Sequence, residues 1–111
     1  MAPDSFPHRR RSLRIPAEVR LAVTYAGETV PGRTGMLSRF GALILCSLNL
    51  HEGDELTVTN RGSGDSVACR VVWCGDMVVT GERKYGIEMV EERPRFWGVD
   101  FSGLAGDEAV G

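Results

Sequence analysis

The sequence predicts an all-β fold, a small antiparallel barrel or sandwich of six short strands. Three observations carry that expectation. Apolar residues recur with the period of two of a half-buried strand, over separate stretches between Val19 and Met89. Glycine-rich clusters such as Ala26-Gly27-Glu28 and Arg61-Gly62-Ser63-Gly64-Asp65 punctuate those stretches. No segment has the length and periodicity of a long helix. With 111 residues, 42% of them hydrophobic, the chain is expected to form a single core.

Taken in order, residues 1–8 lack periodicity, contain Pro3 and Pro7, and are expected to be a flexible N-terminus. Residues 9–90 are assigned to the barrel, including an arginine-rich arm at its start. Pro16 disfavours helix at Ile15 and keeps the chain extended. From Val19 the alternation sets in, with Val19, Leu21, Val23 and Tyr25 on one face and Arg20, Ala22 and Thr24 on the other. Thr29 to Ser38 forms the second extended segment. Pro31, Gly32 and Gly35 predict that it is bent or bulged.

Ala42 to Cys46, apolar throughout, is expected to be a third strand, covered on both sides or lying at an edge under a loop. In Glu55 to Asn60, Leu56 and Val58 alternate with polar residues and define the fourth. The turn after it predicts a hairpin with Ser66 to Trp73, in which Val67, Cys69, Val71 and Trp73 share a face. Met77 to Thr80 extends the sheet, and Tyr85 to Met89 is the sixth strand, with Tyr85, Ile87 and Met89 inward. Trp73 and Tyr85 are both expected in the core. Residues 91–111 form a C-terminal extension, partly packed and frayed at its end, in which Trp97-Gly98-Val99-Asp100-Phe101 echoes Tyr85-Gly86-Ile87-Glu88-Met89. That echo predicts a seventh strand or a segment lying across one barrel end.

Charge narrows the function. The net charge is -2 and the pI about 5.7, although Arg9, Arg10, Arg11, Arg14 and Arg20 crowd the first twenty positions. A basic arm on a neutral-to-acidic body argues against a general nucleic-acid or membrane binder, and neither DNA, RNA nor membrane insertion is expected. The longest apolar run, Ala42 to Cys46, is far short of a membrane span, which points to a cytoplasmic protein. Three cysteines, Cys46, Cys69 and Cys74, have neither the spacing of a metal site nor the even number of a disulfide framework. His8 and His51 lie outside any catalytic pattern, and there is neither a nucleophile elbow nor a phosphate loop. No enzymatic activity, cofactor or metal is expected.

Two motifs remain. Arg10-Arg11-Ser12-Leu13-Arg14 resembles the Arg-x-x-x-Arg motif that precedes the first strand of PilZ domains. Met36-Leu37-Ser38-Arg39-Phe40-Gly41 resembles their Asp/Asn-x-Ser-x-x-Gly motif at two of its three positions. The Gly-Ala-Leu run after the second motif, the Val-Val-Trp of the fifth strand and the Tyr-Gly-Ile-Glu-Met of the sixth are also similar to that family. The resemblance covers about Arg9 to Val90. It implies a six-stranded antiparallel PilZ-like β-barrel that binds the bacterial second messenger cyclic di-GMP.

Carried over residue by residue, the resemblance gives Arg10 and Arg14 the phosphates and the O6/N7 edge of guanine. Ser38 would supply a hydroxyl, and Gly41 room for close approach. Arg9, Arg11, Met36 and Arg39 are possible additional contacts. Met36 departs from the family pattern: it stands where an Asp or Asn accepts hydrogen bonds from the guanine Watson-Crick edge. The expected function is a cyclic di-GMP receptor that signals to an unidentified partner protein when its arm orders over the ligand. The alternative is a degenerate PilZ domain that binds no nucleotide and acts as a protein-protein interaction module.

Overall fold

A computed structural model describes residues 14–98. Within them β1 (Arg20–Tyr25), β2 (Glu28–Ser38), β3 (Gly41–Cys46), β4 (Glu55–Asn60), β5 (Ser66–Met77) and β6 (Arg83–Met89) form a closed antiparallel barrel in the order β1-β2-β3-β6-β5-β4. No helix occurs among the described residues, so none is long and apolar enough to cross a membrane. Closure comes from β1, which pairs on one side with β2 and on the other with β4. Among the described strands none is an edge strand, since each pairs on both sides.

The alternation read from the sequence sets the interior. Leu21, Val23, Ile44, Val58, Cys69, Val71, Tyr85 and Ile87 are buried and form one cluster. Leu48 and Leu50, in the β3–β4 connection, belong to it, as do Phe96 and Trp97 after β6. The two rings pack edge to face, with centroids 4.9 Å apart. Asn60, itself buried, holds this segment by donating from Nδ2 to the Phe96 carbonyl at 2.9 Å. The extension therefore covers a barrel end through Pro94–Trp97, which is turn rather than strand. Val99 and Phe101 lie outside the described residues.

Two details differ from expectation. Trp73 is not a core residue: the β5–β6 register shifts between Val71 and Trp73, which reverses the alternation. Beyond the shift Cys74, paired with Tyr85, packs against the core. The Trp73 indole then lies on the outer face over Gly75, where any Cβ would meet its six-membered ring. Secondly, Met77 ends β5, and Val78 to Gly81 make a turn instead of more sheet. β3, by contrast, is covered on both sides as the first of the two expected alternatives has it, and is no edge strand. Ala42, Ile44 and Cys46 face inward, while Leu45, only 8% exposed, is covered from outside.

Burial determines the chemistry of the thiols. It pushes the Cys69 thiol up to about 12 and raises that of Cys46, so both remain protonated and behave as small apolar groups at neutral pH. On the surface, Arg33 of β2 donates to Glu82 at 2.9 Å, and Thr80 donates to the same carboxylate at 2.9 Å. These bonds hold the Glu82 carboxyl below the usual carboxylate range, with the Arg33 bond contributing most. Their contribution is present above the unfolded-state pKa and fades as pH falls through the lower folded-state value.

Candidate functional site

Arg14, the last residue of the first motif, comes up to the second motif at one end of β2. Ile15 makes an isolated antiparallel bridge with Leu37, its N–H donating to the Leu37 carbonyl at 2.8 Å and its carbonyl accepting from the Leu37 N–H at 2.7 Å. In an antiparallel bridge the next residues along also face each other, so this register sets Arg14 opposite Ser38. Arg14 is exposed, whereas Ser38 is partly covered. Arg9, Arg10 and Arg11 lie outside the described residues.

What holds the arm's root is a side chain that sequence reading passed over. Thr34 is 1% exposed; its Oγ1 donates to the Ala17 carbonyl at 2.6 Å and accepts from the Val19 N–H at 2.8 Å. Its own N–H donates to the Val19 carbonyl at 3.1 Å. A threonine in a strand is an ordinary residue, and only the chain folding back past it makes it a clamp. Thr34→Val, close in shape but without the hydroxyl, is expected to cost about 1–3 kcal/mol by orphaning the Ala17 carbonyl and the Val19 amide. Hydrogen exchange should then be faster at Val19 than in the wild type, and unchanged protection there would show that Thr34 does not hold the segment.

The second motif spans the β2–β3 turn. Leu37 is buried and Met36 only partly covered, paired with Leu43 on the outer side of a register shift at Gly35. Arg39 and Phe40 form the turn, with the Arg39 guanidinium carbon 5.9 Å from the centre of the Phe40 ring. The Arg39 Nε is buried and meets no acceptor among the described residues. Such a donor is costly to leave unpaired and is suited to an incoming anion. Gly41 pairs with Ser38 on one side and Glu88 on the other. A Cβ on Gly41 would sit 2.5 Å from the Ile87 carbonyl oxygen and 3.4 Å from the Ser38 Oγ. The glycine is therefore required by the β3–β6 contact itself.

Arg14, Ser38, Arg39 and Gly41 thus gather at one end of the barrel, and Met36 borders them. The arrangement offers an exposed cation, a hydroxyl, an unpaired guanidinium N–H and a position without a side chain, which suits a phosphate-bearing ligand. Among its described residues no nucleophile is paired with a base.

Comparison with known proteins agrees with the motifs. The chain matches the PilZ domain family over residues 8–96, most of its length and both motifs. It is a PilZ domain. No curated protein matches it. Among solved structures, the Bacillus subtilis inhibitor of motility (MotI/DgrA) superposes with a TM-score of 0.64 at 17% identity, over 92% of this chain. At that identity the likeness is one of fold. This PilZ chain spans 47% of the length of that protein.

Proposed function

We propose that this PilZ domain is a cyclic di-GMP receptor without catalytic activity, and that it passes ligand binding to a partner protein. The Ile15–Leu37 bridge carries the reading, because it joins the arginine arm to the second motif at Ser38. Arg14 and Arg10 pair with the phosphates and with guanine O6 and N7, Ser38 and the Arg39 Nε add donors, and Gly41 contributes no side chain to the site. Arg9 and Arg11 supply further phosphate contacts. Arg9 to Arg14 close over the bound nucleotide, and the surface so formed is what a partner reads.

Calorimetric titration with cyclic di-GMP, with GMP as control ligand, tests this directly. Saturable binding is expected for cyclic di-GMP alone, and Arg14→Ala should weaken it roughly ten- to a hundredfold, the worth of a charge-assisted hydrogen bond. Met36→Asp, which restores an acceptor, should tighten it. Protease cleavage within the arm should slow at saturating ligand, and cleavage unaffected by ligand would refute the closing step. Absence of heat from folded protein would refute the receptor.

The second reading, a PilZ domain that binds partners without nucleotide, has its own support. Met36 offers no strong acceptor, and the β5–β6 turn at the other barrel end presents Met77 and Val79 at 56% and 104% exposure. Under that reading, ligand titrations stay flat and Met36→Asp changes nothing.

A further inference from the structure

We propose that the groove between the β4–β5 turn and the turn after β6 is a second binding site, for a small ligand that bears an oxyanion, a phosphate or a carboxylate, together with a hydroxyl. Its residues belong to neither motif, so the site stands or falls apart from the nucleotide reading.

The groove is formed in advance. It has a volume of about 280 Å³ and is lined by Asp65 on one side and by Arg93, Pro94, Arg95 and Phe96 on the other. Asn60, only 5% exposed, fastens both walls: its Nδ2 donates to the Phe96 carbonyl at 2.9 Å, its Oδ1 accepts from the Gly62 N–H at 2.8 Å, and its backbone N–H donates to the Asp65 carbonyl at 2.8 Å. The second wall is braced again within itself, where the Phe96 N–H donates to the Arg93 carbonyl and the Gly98 N–H to the Arg95 carbonyl, both at 3.1 Å. A pocket already shaped costs little to order when a ligand enters.

Its lining has the donors of an anion site. Arg93 and Arg95 are both exposed, on a turn held by those bonds. Arg93 has Glu91 at 3.7 Å, a long and weak pair, whereas among the described residues Arg95 has no carboxylate within 4 Å. Glu92 adjoins Arg93 in the chain, but neither it nor Glu91 lines the groove. Guanidinium forks suit the oxygens of a carboxylate or phosphate. A further donor adjoins Phe96: Trp97 is 3% exposed, its ring centroid lies 4.9 Å from that of Phe96, and its Nε1–H meets no acceptor among the described residues. On the other wall the Asp65 carboxylate repels a bare anion and accepts from a hydroxyl, which is why the ligand carries both.

The test is a nuclear magnetic resonance titration of the full, isotope-labelled chain with β-glycerophosphate, glycerate and inorganic phosphate, followed at the indole N–H of Trp97 and, as a control on the outer face of β5, of Trp73. The Trp97 signal should move saturably while that of Trp73 stays in place, and one of the two hydroxylated ligands should bind more tightly than inorganic phosphate; which of them does so decides between phosphate and carboxylate. Arg95→Ala should weaken that binding roughly tenfold or more. Arg93→Ala should weaken it less, because Glu91 already draws on that guanidinium. Asp65→Asn should tighten inorganic phosphate by removing a like charge. Arg70→Ala, which removes an arginine paired with Glu55 on the barrel wall, should bind as wild type does. All four positions are exposed, so the variants keep the fold. A Trp97 signal that never saturates, or that moves equally in Arg95→Ala, would show that the groove holds no oxyanion. Binding that survives both arginine variants while the Ser38 and Gly41 amides move would place the anion at the second motif and overturn the site.

Discussion

Tyr85→Phe is expected to lower the unfolding free energy by about 2–4 kcal/mol, although it removes one oxygen atom from a residue with no solvent exposure. The hydroxyl donates to the Leu48 carbonyl at 2.7 Å and accepts from the Leu50 N–H at 3.0 Å. Burial raises the phenol's pKa, so the donor proton is in place at neutral pH. Without it, two backbone groups are left unpaired in a region that excludes water, each at a cost of about 1–3 kcal/mol. Leu48 and Leu50 are core residues carried on the β3–β4 connection, so the loss falls on their packing as well as on the bonds. Urea denaturation of both proteins measures the difference. A change below about 0.5 kcal/mol would mean that the loop finds other partners and that the hydroxyl does not organise this barrel end.

Gly41→Ala is expected to destabilise the protein by about 1–3 kcal/mol in the absence of any ligand, the range for forcing an extra methyl into a packed site. The obstruction is backbone: the Ile87 carbonyl oxygen lies 2.5 Å from where the Cβ would be, within the β3–β6 pairing, and cannot swing aside as a side chain could. Gly35 provides the contrast. A Cβ there would meet the Leu45 and Leu43 methyls at 3.7 and 3.8 Å, ordinary contact distances, so Gly35→Ala should leave stability within about 0.5 kcal/mol of wild type. Should Gly41→Ala prove as stable as wild type yet bind no nucleotide, the glycine would serve the ligand alone. Equal losses in the two variants would show that close approach at Ile87 is not the cause.

The two motifs were legible in the sequence because each depends on residue type at short spacing, and the family match covers both. Their meeting was not, since it depends on Ile15 pairing with Leu37 across a strand and a turn. Thr34 escaped notice for the same reason. It carries no local signature and gains its role from partners reached through the fold, Val19 and Ala17. Trp73 was misread because a period-two pattern assumes an unbroken ladder, and one extra residue in β5 moved the indole to the outer face.

By itself, then, the sequence determined the six strands and, up to each bulge, which residues turn inward. Alternation of apolar and polar side chains acts within a strand and needs no knowledge of the neighbour. The resemblance pointed to a barrel, but alternation alone left barrel and sandwich open. Closure of β1 onto β4, the shifts at Gly35 and after Val71, and the row that brings Ser38, Gly41 and Glu88 side by side were decided by tertiary structure. Register between strands is a property of the whole sheet: every pairing must bury its inward residues and satisfy its backbone groups together, and no single stretch of chain encodes that sum.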